Sequence, residues 1–331
     1  MHCDTISALL EMRRKGTYSA GSGLSSNSLH VDLEKLEKGG CILQNFALFV
    51  ALSACDDPFR ECTALADLYY EELEKNKDRI RPVYHYEDIE KNRAEGKLSA
   101  LLTVEEGGVC KGRLGNLRLL YRLGVRMLTL TWNFPNELGW PNVRMREKDS
   151  GAAPDFTTPD GEHGLTETGF AFLTEMERLG MIVDVSHLSD AGFWDVARTA
   201  NKPFVASHSN ARAVCGHVRN LGDDMIRALA EKGGVTGLNF CPSFLEEERK
   251  EGESRGSLDA IVTHARHIVN MGGEDCLGLG SDFDGIPTNA AIPDAAHLPH
   301  LADALKKAGF SERQIDKIFC ENVLRVYREI L

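Results

Sequence analysis

At 331 residues and 42% hydrophobic content, the chain can bury one large core, and α/β barrels of this size commonly form one domain, so a single domain over 1–331 is expected. A net charge of -12 excludes a general phosphate-binding surface, which needs clustered Lys and Arg, so nucleic acid is not an expected partner. Nine cysteines, an odd number with no C-x-x-C pair, suggest neither a disulfide framework nor a Cys-based zinc site and fit a reducing cytoplasm. Apolar runs such as Ala47 to Ala54 are far shorter than the roughly 20 residues of a membrane helix, and no signal-peptide pattern opens the sequence. A cytoplasmic protein with no membrane partner is therefore expected.

In chain order, short apolar runs alternate with longer helical patterns. Strands are predicted at residues 1 to 5, 41 to 50, 98 to 104, 126 to 131, 181 to 186, 203 to 207, 235 to 240 and 277 to 282. Helices fit between them. Residues 58 to 76 place Leu65, Leu68, Tyr69 and Leu73 at three- and four-residue spacing, and residues 167 to 179 run to a stop at Gly180. Ser311 with Gln314 resembles a capping box, and a last helix carries Val323, Leu324 and Val326. Eight strands alternating with helices predict an α/β fold, a (β/α)8 TIM barrel. Trp132 to His163, rich in Pro, Gly, Asn and Asp, reads as a functional loop over one barrel face.

Acidic and histidine residues recur where these strands end, the place where this fold gathers catalytic groups. His2 and Asp4 are two apart on the first strand and project from one side. The third strand ends in Glu105, Glu106, Gly107 and Gly108, and either glutamate could bridge two metals. His187 and His208 close the fifth and sixth strands, and neutral imidazole is a favoured zinc ligand. Asp282 and Asp284 share a face in a Gly-rich strand end, where an unpaired buried aspartate is costly. Each motif taken singly is weak, but five strand ends bearing ligand-type residues imply a two-metal hydrolase.

The chain also resembles the membrane (renal) dipeptidase family, peptidase family M19, a branch of the amidohydrolase-like barrels. The resemblance covers essentially the whole chain and rests on H-C-D-T at 2 to 5, V-E-E-G-G at 104 to 108, L-G-V-R-M-L-T-L-T at 123 to 131 and G-L-T-E-T-G at 164 to 169. It continues through V-D-V-S-H-L-S at 183 to 189, S-H-S-N-A at 207 to 211, V-R-N at 218 to 220 and G-S-D-F-D-G at 280 to 285.

The resemblance implies a metallo-dipeptidase with two Zn2+, other divalent metals being able to serve. His2 and Asp4 would bind one ion and His187 and His208 the other. The family pattern puts the bridging acid directly before the paired glycines, which selects Glu106. Asp282 would be the acid/base and Arg219 the grip on the substrate carboxylate, a task that suits a planar guanidinium. Trp132 stands where the family has a substrate-contacting histidine.

Only Met1 precedes His2, so the first strand lacks its usual lead-in, and the secretion signal and lipid-anchor tail of membrane-bound members are missing, which implies a soluble bacterial-type member. The expected reaction is hydrolysis of L,L- and L,D-dipeptides by a metal-bridged hydroxide, from two ions about 3.5 to 4 Å apart. A homodimer is allowed for. The alternatives are another two-metal amidohydrolase-type reaction, on a lactone, amide or phosphoester, and a binding protein on a decayed site.

Overall fold

The computed structural model describes residues 1–18, 23–143, 154–247 and 256–331. Its strands are β1 (Leu43–Phe49), β2 (Ile80–Pro82), β3 (Leu98–Glu105), β4 (Val125–Thr129), β5 (Ile182–Asp184), β6 (Val205–Ala206), β7 (Val235–Asn239) and β8 (Leu277–Ser281). All pairs are parallel, in the order β1-β3-β4-β5-β6-β7-β8, with β2 attached to β3 off that path.

Residues 1–4 close the ring. Cys3 bridges Phe283, just beyond β8, in parallel; Asp4 N donates to Phe283 O (2.9 Å), and Ala47 N of β1 donates to Cys3 O (2.9 Å). Eight parallel segments therefore surround the axis, as the predicted (β/α)8 barrel requires. The first of them is a single bridge rather than the strand expected over 1 to 5, because the helix Thr5–Arg14 starts straight after Asp4. The short strand β2 was not expected; it ends in Pro82, which cannot donate to a further ladder.

The predicted helices form at Pro58–Lys75, opened by a proline in its first turn, and at Glu167–Leu179, ended by Gly180 at φ 76°. Ser311 and Gln314 make the reciprocal capping box, and the last helix spans Asn322–Ile330. Among the described residues, the Trp132 to His163 loop holds isolated bridges, Gly139 with Leu165 and Pro141 with Leu188, and no helix; residues 144–153 lie outside the described set.

Strand parity sorts the apolar side chains into two layers. Ala100, Leu102, Val104, Leu128, Val183 and Leu238 pack outwards in the large core beneath the helices. Leu101, Met127, Ile182, Val205 and Val235 point inwards and meet Val323, Val326, Tyr327 and Ile330 of the last helix, which plugs the barrel at the N-terminal ends of the strands. Asn45 of β1 donates to the Tyr327 hydroxyl (2.7 Å) within that plug, while its own Oδ1 is buried without a partner.

Candidate metal centre and active site

Following the inward parity up β3 leads from Leu101 through Thr103 to Glu105, the last residue of the strand. There, at the C-terminal rim, Glu105 meets His2 and Asp4 of the closing segment, His187 after β5, His208 after β6 and Asp282 after β8. Glu105 Oε2 lies 3.3 Å from His2 Nε2, while Oε1 lies 2.9 Å from His187 Nε2 and 3.6 Å from His208 Nε2. His2 Nε2 is 3.2 Å from Asp4 Oδ2 and 3.9 Å from Asp282 Oδ1. Donor atoms of His2, Glu105 and His208, and again of His2, Asp4 and Asp282, lie within 4.8 Å of one another.

Glu106 is elsewhere, which corrects the expectation that it bridges. Its carboxylate accepts from Gly108 N (2.7 Å), Asn136 Nδ2 (2.5 Å) and Trp132 N (3.2 Å). One residue beyond the inward-facing Glu105, it faces the neighbouring loop. The glutamate within the cluster is Glu105.

Outer hydrogen bonds orient the histidines. Ser207 Oγ donates to Asp184 Oδ2 (2.6 Å), which uses its only proton, so its 2.7 Å contact with His208 Nδ1 is a bond donated by the ring. His208 thus carries its proton on Nδ1 and turns a bare Nε2 to the cluster. Asn133 Oδ1, 2.8 Å from His187 Nδ1, sets the same tautomer there. Asn239 Nδ2 donates to Asp282 Oδ2 (2.8 Å). Asp184, Ser207, Asn133 and Asn239 escaped sequence reasoning; for the first two, the D-V-S-H and S-H spacing around the expected ligands was the available signal.

The backbone here is forced. His187 (φ 72°), Asp282 (φ 66°), Asp284 (φ 68°) and Glu106 (φ 101°) occupy the left-handed region that non-glycine residues avoid, and such strain gathers at functional sites. Asp284 is not in the cluster; it accepts from Thr5 Oγ1 (2.6 Å) and His30 N (2.6 Å), tying the β8 end to its neighbours. Gly280 is needed nearby, since a Cβ there would come within 2.3 Å of Ser207 O.

Burial pushes the carboxyls of Glu105 and Asp282 up to about 7, with His2 opposing and Asp4 reinforcing the rise. Burial would lower His2, but Glu105 and Asp4 outweigh it and raise the ring well above its usual value. His187 and His208 are driven well down by burial, with His2 and Arg219 adding repulsion, so both rings are neutral. Asp4 Oδ1 is buried with no hydrogen-bond partner.

These features fit a divalent ion. Tetrahedral bonds of about 2.0 to 2.1 Å imply ligand atoms roughly 3.3 Å apart, the spacing seen here, and a cation would satisfy the orphaned oxygen and offset the crowded carboxylates.

The cluster opens into a cavity of about 1160 Å3 whose wall includes Asp4, Glu105, Trp132, His187 and Asp282. Trp132 leans edge-on against Phe49 at 4.9 Å and lies 6.2 Å from the His187 ring. Arg219, 4% exposed, sits behind the wall with its guanidinium 5.7 Å from the centre of the Phe244 ring. Its bonds to Ser209 Oγ and His208 O are both 3.4 Å long, and its Nε has no partner, so this guanidinium has hydrogen-bonding capacity to spare.

A parallel barrel with a buried imidazole and carboxylate cluster at its C-terminal rim defines a metal-dependent hydrolase of the TIM-barrel type. The family model described as membrane dipeptidase (peptidase family M19) matches residues 1–331, and the chain belongs to this family and is a metallo-dipeptidase. It is 36% identical over 253 residues to an uncharacterized protein of the pqqA 5′ region in Klebsiella pneumoniae, covering 76% of this chain and 89% of that one. It is 32% identical to an uncharacterized dipeptidase of Schizosaccharomyces pombe, over 93% of this chain and 73% of the relative.

Two crystal structures superpose over nearly the whole length. One is the dipeptidase AC, a metallopeptidase of family M19, with TM-score 0.86, 29% identity and coverage of 99% of this chain and 97% of that one. The other is a Rhodobacter sphaeroides metallopeptidase bound to a phosphinate mimic of L-Ala-D-Ala, with TM-score 0.84, 28% identity and coverage of 100% and 98%. Among the described residues, no helix is long and apolar enough to cross a membrane.

Proposed function

We propose that this chain hydrolyses the peptide bond of L,L- and L,D-dipeptides with two Zn2+ ions, other divalent ions being able to replace zinc. The observation that carries the reading is the divided carboxylate of Glu105: Oε2 faces His2 and Oε1 faces His187 and His208. One glutamate thus joins two half-sites, His2 with Asp4 and His187 with His208. When bound, the two ions supply Lewis acidity and bring the pKa of a water down towards roughly 7.

The chain's own groups do the rest. Asp282, held by Asn239 and raised to about 7, is suited to take a proton at its free oxygen and return it to the leaving amine. The under-used guanidinium of Arg219 holds the substrate's free carboxylate, which limits substrates to short peptides with a free C-terminus. Trp132 and Phe49 offer an apolar surface to a substrate side chain beside the cluster. The similar Rhodobacter protein holds a mimic with a D-residue at the carboxylate end, which supports the L,D reading. Residues 1–331 act as one catalytic domain, and nine free thiols suit the cytoplasm.

The test is elemental analysis of purified protein joined to hydrolysis of a dipeptide library. Two divalent ions per chain and activity lost in chelator and restored by zinc are expected. Full activity in chelator would overturn the reading.

A further inference from the structure

Glu106 is buried at 0% exposure, adopts φ 101° and ψ 90°, and stands outside the cluster that its neighbour Glu105 completes. Glycine takes this conformation without steric cost, so a glutamate here needs a compensating contact. Its carboxylate spans two chain segments. Oε1 accepts from Gly108 N and from Asn136 Nδ2, and Oε2 accepts from Trp132 N. Asn136 fastens the same turn from within, donating to Leu130 O (2.9 Å) and accepting from Leu138 N (2.7 Å). The segments touch so closely that a Cβ on Gly107 would come within 2.6 Å of Leu130 O. Inside the turn sits Asn133, whose Oδ1 accepts from His187 Nδ1 at 2.8 Å.

We propose that Glu106 is a positioning residue: it clasps the end of β3 to the Trp132–Asn136 turn and, through Asn133, fixes the ring and tautomer of His187. The clasp couples two ligand-bearing strands. One end of it is covalently next to Glu105 and the other presents the hydrogen-bond acceptor for His187, so both are set by one carboxylate. Outer partners of this kind fix which imidazole nitrogen is bare and tune affinity for the ion. The inference rests on reading the cluster as a metal centre, but the ring orientation can be measured without metal.

The experiment compares Glu106→Gly, Glu106→Gln and Asn133→Ala with the parent in full-length protein. In metal-free samples, imidazole 15N shifts should show His187 as the Nδ1–H tautomer in the parent and as a mixture in Glu106→Gly and Asn133→Ala. Glu106→Gln can keep its oxygen for Gly108 N and Asn136 only by turning its NH2 towards Trp132 N, so an intermediate mixture is expected. Zinc titration should show one of two sites weakened by about 10- to 100-fold in Glu106→Gly, and the double variant with Asn133→Ala should be no weaker than the single ones.

A parent-like tautomer and parent-like zinc affinity in Glu106→Gly would overturn the proposal. Should that variant fail to fold, a parent-like tautomer in Glu106→Gln would overturn it equally. A parent that binds no zinc would refute the metal-centre reading instead, and the tautomer comparison would still decide whether the clasp exists.

Discussion

The two ends of the barrel use the same strands for opposite purposes. At the N-terminal end, Leu101, Met127, Ile182, Val205 and Val235 bury against Tyr327 and its neighbours, and the contacts there are apolar apart from the Asn45–Tyr327 bond, which leaves Asn45 Oδ1 buried without a partner. Two to four residues further along, on the same inward face, Glu105 is buried among histidines and Asp184 against Thr129 and Ser207, and backbone strain is stored at His187 and Asp282. The lower end stabilises, and the upper end carries the costly charges. Activity and stability should therefore respond to different residues of one strand.

The largest expected effect is at the upper end. Asp282→Asn should keep its metal and lower kcat by about 10^2- to 10^4-fold, because it removes proton transfer without removing a half-site. Loss of metal in that variant, read by elemental analysis, would make Asp282 a ligand instead. Next comes the pair Leu101→Ala and Glu105→Gln, four residues apart on one face. Leu101→Ala should cost about 2 to 5 kcal/mol in denaturant unfolding and leave the zinc affinity of the folded protein unchanged. Glu105→Gln should abolish tight zinc binding while the metal-free protein stays at least as stable, since one buried carboxyl has gone. If both variants lose stability and metal together, the two ends are not separable.

A smaller effect sharpens the role of the cavity's rear wall. Arg219→Lys keeps the charge but loses the planar fork, and a charge-assisted bond of roughly 1.5 to 3 kcal/mol corresponds to about a 10- to 100-fold fall in kcat/KM for free dipeptides. Dipeptide amides should be poor substrates for the parent and lose little more in the variant. Equal proportional loss for acid and amide would move the carboxylate grip elsewhere.

The smallest effect lies outside the barrel, on the helix Glu167–Leu179. Arg178 first, and Arg118 with it, hold the Glu175 carboxyl down to about 2 from an ordinary value of 4.5. A carboxyl lowered on folding stabilises above its unfolded value, and that contribution disappears as pH falls from about 4.5 towards 2. With the arginine side chains 41% and 63% exposed, it should be under about 1 kcal/mol. Thermal unfolding of Glu175→Gln and parent should differ slightly at pH 7 and converge near pH 2.

Much of this was legible in the residues. Alternating strands and helices, the strand-end placement of His2, Asp4, His187, His208 and Asp282, and the loop after β4 follow from periodicity and local motif, because each depends on neighbours within a few residues. The choice between Glu105 and Glu106 does not. From Leu98 to Val104 the strand is buried on both faces. Ser99 and Thr103 share the parity of Glu105 against the all-apolar Leu98, Ala100, Leu102 and Val104, but Leu101 breaks the pattern on that face, so the alternation is only a partial signal of inside and outside. Only the ring, closed by residues 1–4 between β8 and β1, assigns parity: Leu101 goes into the plug, and Glu105 therefore into the cluster.

The same holds for the tautomers of His187 and His208 and for the spare capacity of Arg219. Each is set by partners many residues away in sequence, such as Asn133 for His187. The amino-acid sequence determined which chemistry could be assembled and at which end of the barrel. The tertiary structure decided which carboxylate stands among the histidines, because inside and outside are fixed for a parallel strand only once the barrel has closed.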